Sequence, residues 1–241
     1  MDHSALRGKR MLVTGATGGI GREIARRFAS VVGSLVLTGR NAQRLAETGA
    51  ALAGSDLPAR VITHAADLGS DTDMSSLLDC VRREFGGIDV LVNCAGVFPV
   101  HALGEASVAE FDACFNVNVR APFALCLALV PDMAARGWGR VVNIGSSSAY
   151  AGFKDTSVYC ASKHALLGLS RSLHDEYKRQ NVRVFCVSPG SVKTEMGRLV
   201  RNQTFETFLD PAEIAEFLLD LISHDGPMIA EEVRLNRILI Q

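Results

Sequence analysis

This 241-residue chain predicts a single-domain α/β fold, a doubly wound, seven-stranded parallel sheet with helices on both faces. Three observations carry that prediction. Short β-rich runs alternate along the chain with longer amphipathic stretches. The runs are apolar almost throughout, as strands covered on both faces are, and strand–helix–strand units with right-handed crossovers make the sheet parallel. Directly after the first run comes a glycine-rich turn, Thr14-Gly15-Ala16-Thr17-Gly18-Gly19-Ile20-Gly21, at the carboxyl edge where open α/β sheets take ligands. Together these describe a Rossmann architecture spanning 1–241.

The first strand is expected at Arg10–Thr14, followed by a helix beginning near Arg22, with Ile24, Phe28, Val31 and Val32 at helical spacing. Between them the glycines let the backbone turn sharply and approach a pyrophosphate, whose charge sits on the amide-rich helix start. Gly15, Gly19 and Gly21 are the expected contacts. The second strand, Ser34–Thr38, ends in Gly39-Arg40, where a NAD site would place an acid for the ribose 2′-hydroxyl. A guanidinium suits a 2′-phosphate instead, so NADP(H) is the expected cofactor, with Arg22 and Arg44 as further contributors. The third strand, Arg60–His64, leads into Ala66-Asp67-Leu68, where Asp67 either accepts from an adenine amine or caps the helix after Gly69.

The fourth strand is expected at Ile88–Val92 and a long apolar helix at Ala109–Met133. The fifth, Arg140–Ile144, ends at Gly145 and three serines, Ser146, Ser147 and Ser148. A helix over Ser157–Lys178 follows, with Leu166, Leu169, Leu173 and Tyr177 on its apolar stripe. The sixth strand, Val182–Val187, runs into Pro189-Gly190. The least regular part, Thr194–Phe208, is a candidate substrate lid. Asp210-Pro211 then opens a helix containing Ile214–Ile222, and Val233–Ile238 forms the last strand.

Composition excludes several classes. A net charge of −1, from 25 basic and 26 acidic residues, gives no polybasic footprint for nucleic acid. Met1–Lys9 lacks the apolar core of a secretory signal, and the longest strongly apolar stretch, Ala121–Val130, is well below the roughly 18 residues a membrane span needs, so a cytoplasmic protein is expected. The six cysteines, at 80, 94, 114, 126, 160 and 186, form no Cys-x-x-Cys pair and read as reduced packing residues. The histidines show no metal-ligand spacing.

Tyr159 and Lys163, four apart, share one helix face. A free tyrosine ionises near pH ~10, and an adjacent ammonium favours its phenolate, which makes the pair a tunable acid for exchanging a proton with an alcohol or carbonyl. The other reading of the pair is an ordinary exposed i, i+4 contact.

The ordered set Thr14-Gly15-x-x-x-Gly19-Ile20-Gly21, Asn93-Cys94-Ala95-Gly96, Ser146, Tyr159-x-x-x-Lys163 and Pro189-Gly190 resembles the short-chain dehydrogenase/reductase family across nearly the whole chain. The resemblance implies that Tyr159 is the general acid/base, that Lys163 tunes it and holds ribose hydroxyls, and that Ser146 orients the substrate carbonyl, with Ser147 and Ser148 as neighbours that blur the choice. Asn118, with Asn116 as alternative, matches the family's helix asparagine, whose backbone distortion holds a water linking the lysine to solvent. Asn93, Ala95 and Gly96 match the adenine-side wall, with Cys94 replacing the family's second asparagine. Thr14, Thr17 and Gly18 belong to the phosphate loop and Leu68 to the adenine pocket, while Pro189, Gly190, Val192 and Thr194 match the nicotinamide segment. The implied activity is NADPH-dependent reduction of a ketone, aldehyde or 3-oxoacyl compound, or its reverse. The alternatives are an NAD-linked alcohol dehydrogenase and a weakly catalytic NADP sensor. Phe98, Val100, His101, Phe153, Met196 and Leu199 are the candidate substrate wall, with no catalytic role for His101. The family's frequent Gly-Gly near the C-terminus is absent, which is more similar to its general carbonyl and hydroxy-acid reductases. A homotetramer or homodimer is expected.

Overall fold

The computed structural model describes residues 2–53 and 59–238. Seven parallel strands form one sheet in the order β3-β2-β1-β4-β5-β6-β7. They are β1 (Arg10–Thr14), β2 (Ser34–Gly39), β3 (Arg60–Ala65), β4 (Val90–Asn93), β5 (Gly139–Ile144), β6 (Val182–Pro189) and β7 (Glu232–Leu235). The helices are α1 (Gly19–Phe28), α2 (Ala42–Ala53), α3 (Asp71–Phe85), α4 (Val108–Phe115), α5 (Ala121–Ala135), α6 (Ser157–Tyr177) and α7 (Pro211–Ser223). The strand order reverses between β1 and β4, and a crevice opens there beyond the strand ends.

Side-chain alternation builds two core layers. Met11, Val13, Leu35, Leu37, Val90, Val92, Phe185 and Val187 point to the face covered by α1, α2 and α7, where Ile24, Phe28, Leu45, Leu218 and Ile222 meet them. Leu12, Val36, Leu91, Val141 and Val184 point to the opposite face and pack on Leu77, Val81, Leu125, Leu129 and Met133 of α3 and α5.

The sequence expectations shift at element ends. Helix α1 starts three residues before Arg22, so the second half of the glycine turn is itself the first helical turn. Strand β4 starts at Val90, because Asp89 is drawn back onto Arg10: its carboxylate accepts from Arg10 Nη2 at 2.6 Å and from Arg10 Nε at 2.8 Å. The edge strand β7 covers Glu232–Leu235 only, where it pairs with β6 up to Pro189. The long helix expected at Ala109–Met133 is interrupted. Between α4 and α5 lies a π turn, Asn116–Arg120, in which the Ala121 N–H donates to the Asn116 C=O. As a continuous 28-residue unit containing an 18-residue window of mean hydropathy 1.6, Val108–Ala135 is long and apolar enough to cross a membrane, contrary to the shorter apolar stretch seen in the sequence. Its residues Leu125, Cys126, Leu129, Val130 and Met133 are instead buried against the sheet.

At the opposite edge of the sheet, the Arg140 side chain has 0 % exposure and meets the carboxylate of Asp225. Its Nη1 donates to Gly139 C=O (2.8 Å) and Asn181 C=O (3.1 Å), and its guanidinium stacks 4.3 Å from the Trp138 ring. Burial strips water from this charge and pulls its pKa down to about 10. Asp225→Ala is therefore expected to cost about 2–3 kcal/mol, somewhat below the value for a fully enclosed pair because the Asp225 side chain is 44 % exposed. Urea denaturation checks this, with Arg140→Met in the same background recovering most of the loss.

Candidate active site

A cavity of about 1150 Å³ opens over the carboxyl ends of the strands. Its floor begins at the glycine turn. Gly15 sits at φ +66°, and a Cβ there would lie 2.8 Å from the Ala95 backbone, so only glycine lets the β1 and β4 loops touch. At Gly21 a Cβ would come within 2.3 Å of the Gly15 carbonyl oxygen. Thr17, Gly18, Gly19 and Ile20 line the same wall, as do Ala95, Gly96 and Leu68.

Beyond the turn the cavity is lined by Arg22, Arg40 and Arg44. Arg44 pairs with Glu195 at 3.1 Å, whereas Arg40 is exposed and has no ion-pair partner among the described residues. Asp67 lines the cavity, and its Oδ1 accepts from the Gly69 N–H at 3.0 Å. It is not the helix cap: Ser70 caps α3 by accepting from the Asp73 N–H.

Two of the expected cofactor residues lie behind this wall. Thr14 is buried, and its Oγ accepts from the N–H groups of Cys94 and Ala95, both at 3.0 Å, fastening β1 to the end of β4. Asn93 is buried and donates to Asn143 Oδ1 at 2.8 Å, and Asn143 donates to Ser170 at 2.9 Å, a polar ladder from β4 through β5 to α6. Both shape the cavity through neighbouring backbone, since neither lines it.

Tyr159, Lys163 and Ser146 converge on the floor. Strand β5 ends at Ile144, and Ser146 begins a short 3₁₀ turn, Ser147–Ala149, by accepting from the Ser148 N–H at 3.1 Å. Of the three serines, Ser146 is the one whose hydroxyl acts on the Tyr159 phenol, lowering its pKa. Phe98 packs edge-on against the Tyr159 ring, centroids 4.5 Å apart, and fixes its plane.

Tyr159 is only 8 % exposed, and burial pushes its phenol up to about 12, against the smaller downward pull of Ser146. This differs from the expectation that Lys163 lowers that pKa. The Lys163 ammonium, 5 % exposed, lies 5.6 Å from the ring centroid and donates to the Ile144 C=O at 2.8 Å. Burial also lowers its own pKa.

Asn118 is placed by the π turn and is buried. Its Oδ1 accepts from the Val97 N–H (2.9 Å), and its Nδ2 donates to Val97 C=O and Ser162 Oγ (both 3.0 Å). Ser162 in turn donates to the Tyr159 C=O at 2.7 Å. Asn118 thus clamps the loop after β4 to the helix carrying Tyr159, without lining the cavity. Ser162 was not singled out in the sequence; its only signal there is a polar residue on the buried stripe of α6.

Pro189, Gly190, Val192 and Thr194 form the opposite wall. Gly190 is held by its N–H donating to the Leu235 C=O at 2.8 Å, and the Thr194 hydroxyl accepts from the Gly197 N–H at 3.0 Å. A Cβ on Gly19 would lie 2.4 Å from Thr194 Cγ2, so this segment rests on the glycine turn. From 194 to 208 two 3₁₀ turns, Met196–Leu199 and Phe205–Thr207, replace any longer element. Phe98, Val100, Phe153, Met196 and Leu199 line the mouth, whereas His101 faces Glu110 outside it.

Comparison with known proteins agrees with this arrangement. The family model for short chain dehydrogenase matches residues 9–204. Dehydrogenase/reductase SDR family member 4 of Homo sapiens is 36% identical over 239 residues, covering 94% of this chain and 85% of that protein. The crystal structure of a metagenomic short-chain oxidoreductase in complex with NADP is 33% identical, with TM-score 0.83, and covers 98% of this chain and 100% of that one. L-Sorbose reductase from Gluconobacter frateurii, complexed with NADPH and L-sorbose, is 27% identical with TM-score 0.87, covering 98% and 97%.

Proposed function

The chain belongs to the short chain dehydrogenase family, an oxidoreductase by that membership, and from this premise we propose that it is an NADPH-dependent carbonyl reductase, running also as an alcohol dehydrogenase. The observation that carries the reading is that Tyr159, Lys163 and Ser146 line one cavity with the glycine turn. Two features of the chain fit a dinucleotide: a turn after β1 folded so tightly on its own and the Ala95 backbone that no Cβ fits at Gly15 or Gly21, and an arginine instead of an acid after β2. Bound there, NADPH supplies the hydride.

The chain's own residues do the rest. Gly15 to Gly21 present backbone amides to the pyrophosphate, Arg40 takes the 2′-phosphate, and Asp67 and Leu68 bound the adenine. Lys163 and the Pro189–Thr194 wall orient the nicotinamide half. Ser146 and Tyr159 hold the substrate oxygen; as charge develops on it, Tyr159 gives up its proton and Ser146 strengthens its hydrogen bond, so both favour the transition state over the ground state. Asn118 is a positioning residue for this pair, through Ser162 and the loop at Val97. In the reverse direction Tyr159 takes the alcohol proton. The 194–208 segment serves as the lid over a single domain. A cytoplasmic homodimer or homotetramer is part of the same reading, supported by the exposed apolar residues Phe111, Phe123 and Leu127 on α4 and α5.

Arg40→Asp tests the cofactor assignment. Removing a charge-assisted contact and adding a repulsive carboxylate is expected to lower kcat/KM with NADPH by about 10- to 100-fold while NADH is affected little or gains. Steady-state kinetics with both cofactors measure the ratio, and an unchanged ratio removes Arg40 from the site.

A further inference from the structure

Resting on the reductase reading, we propose that the carbonyl substrate carries an anionic group, held at the cavity mouth between Lys154, on the loop before α6, and Arg201, on the 194–208 segment. The charge of the cavity wall leads there. The negative charges of the dinucleotide fall at the glycine turn and at Arg22, Arg40 and Arg44, and the same cavity is lined by four further cations: Lys154, Lys193, Arg198 and Arg201. Apart from Asp67, the carboxylates lining it are Glu195 and Asp155. Glu195 is engaged by Arg44 at 3.1 Å. Asp155 faces Arg201 at 4.0 Å, beyond hydrogen-bonding distance, so the guanidinium fork keeps its donors for another acceptor. Arg198 stacks on Phe205, 4.2 Å from its ring. Lys154 has no ion-pair or hydrogen-bond partner among the described residues. In a chain of net charge −1, a wall with this excess of cations is a local feature of the site.

The two cations flank one carboxylate: Lys154 precedes Asp155 in the chain, and Arg201 faces Asp155 from the 194–208 segment. Asp155 lies in the left-handed region (φ 63°), and its C=O accepts from the His101 N–H at 2.8 Å, tying the loop of Lys154 to the wall that carries Phe98 and Val100. Asn202, next to Arg201, is also left-handed (φ 57°). Beside Tyr159 the cavity lining is apolar: Phe98 packs on its ring, and Val100 and Phe153 line the same cavity. The substrate that matches this sequence of surfaces has a carbonyl at one end, a short apolar body and an anion at the other, as in an oxo acid or a phosphorylated ketone.

The test compares charged and neutral partners of equal shape: 3-oxobutanoate against its methyl ester, and dihydroxyacetone phosphate against dihydroxyacetone, followed by NADPH oxidation. In parallel, 3-hydroxybutanoate and its methyl ester, and glycerol 3-phosphate and glycerol, are titrated calorimetrically into NADP⁺-saturated protein. Two exposed cations predict a preference of up to about 10-fold for the anionic member of at least one pair, shrinking toward unity in Lys154→Met and Arg201→Met and falling as salt is raised. The first pair identifies a carboxylate, the second a phosphate. Equal use of charged and neutral partners, or a preference that both variants retain, overturns the proposal while leaving the reductase intact. If no carbonyl oxidises NADPH, the reductase reading itself fails, and the titrations then decide: anion binding lost in the two variants upholds the site, and its absence or indifference to them overturns it.

Discussion

Tyr159→Phe is expected to lower kcat for carbonyl reduction by about 10²- to 10⁴-fold, the range that a positioned general acid contributes. Phenylalanine keeps the ring, its burial and its edge-on packing against Phe98, and removes only the hydroxyl that meets Ser146. NADPH affinity, followed by the fluorescence of the bound nucleotide, is therefore expected to change little, which separates lost chemistry from lost binding. The same variant checks the electrostatics. Burial favours the neutral phenol, so the folded-state pKa of about 12 lies above the ~10 of free tyrosine. The sign follows: the proton is retained as pH rises past the free value, and the stability that burial of the neutral form provides is lost as pH climbs from about 10 toward 12. Tyr150 is likewise pushed up to about 12 by burial, so tyrosinate absorbance of the free protein should show a late-titrating component that loses one tyrosine's amplitude in Tyr159→Phe. A component titrating well below 10 would mean that Lys163 governs the phenol after all.

Gly21→Ala is expected to raise the dissociation constant for NADPH by about 100-fold, equivalent to losing one or two charge-assisted amide contacts to the phosphates. Its new Cβ would lie 2.3 Å from the Gly15 carbonyl oxygen and 2.8 Å from the carbonyl carbon. Backbone stands on both sides of that contact, so the turn must open, and overpacking of this kind costs about 1–3 kcal/mol of stability as well. Gly19→Ala provides the contrast. Its Cβ meets the methyl of Thr194, a side-chain atom that can yield. The loss there should be smaller and partly reversed by Thr194→Ser, which deletes that methyl and keeps the hydroxyl that accepts from Gly197. Calorimetry of cofactor binding and thermal melting of the three variants measure both effects. Because alanine is the better helix former, propensity opposes both losses, and equal losses for Gly19→Ala and Gly21→Ala would show that the close approach of Gly21 to the Gly15 backbone does not set the requirement for glycine.

Much of the site was legible because it is written in local spacing. Tyr159 and Lys163 share a helix face by virtue of their separation, and the glycine turn announces itself by composition and by its place after an apolar run. Arg40 was legible for the same reason: a strand end is a fixed point, and the residue standing there is exposed to whatever the sheet edge binds. Thr14 and Asn93 show the limit. Their positions at strand ends looked like contacts, but in the packed sheet Thr14 Oγ is taken up by the Cys94 and Ala95 amides and Asn93 by Asn143. Whether a polar side chain at a strand end faces ligand or neighbour depends on strands that are distant in sequence. The three adjacent serines could not be separated by spacing either; only the packing of α6 beside β5 brings Ser146, and not its neighbours, to the Tyr159 hydroxyl.

By itself, the sequence determined the parallel α/β sheet, the order of its elements and the shared helix face of Tyr159 and Lys163, since these follow from periodicity, turn chemistry and spacing along one chain. The tertiary structure alone decided how burial sets the Tyr159 phenol, why the long helix breaks into a π turn that lets Asn118 clamp Val97, and where unpaired cations collect at the cavity mouth. Desolvation and pairing are properties of surroundings assembled from remote segments, and no local pattern of residues encodes them.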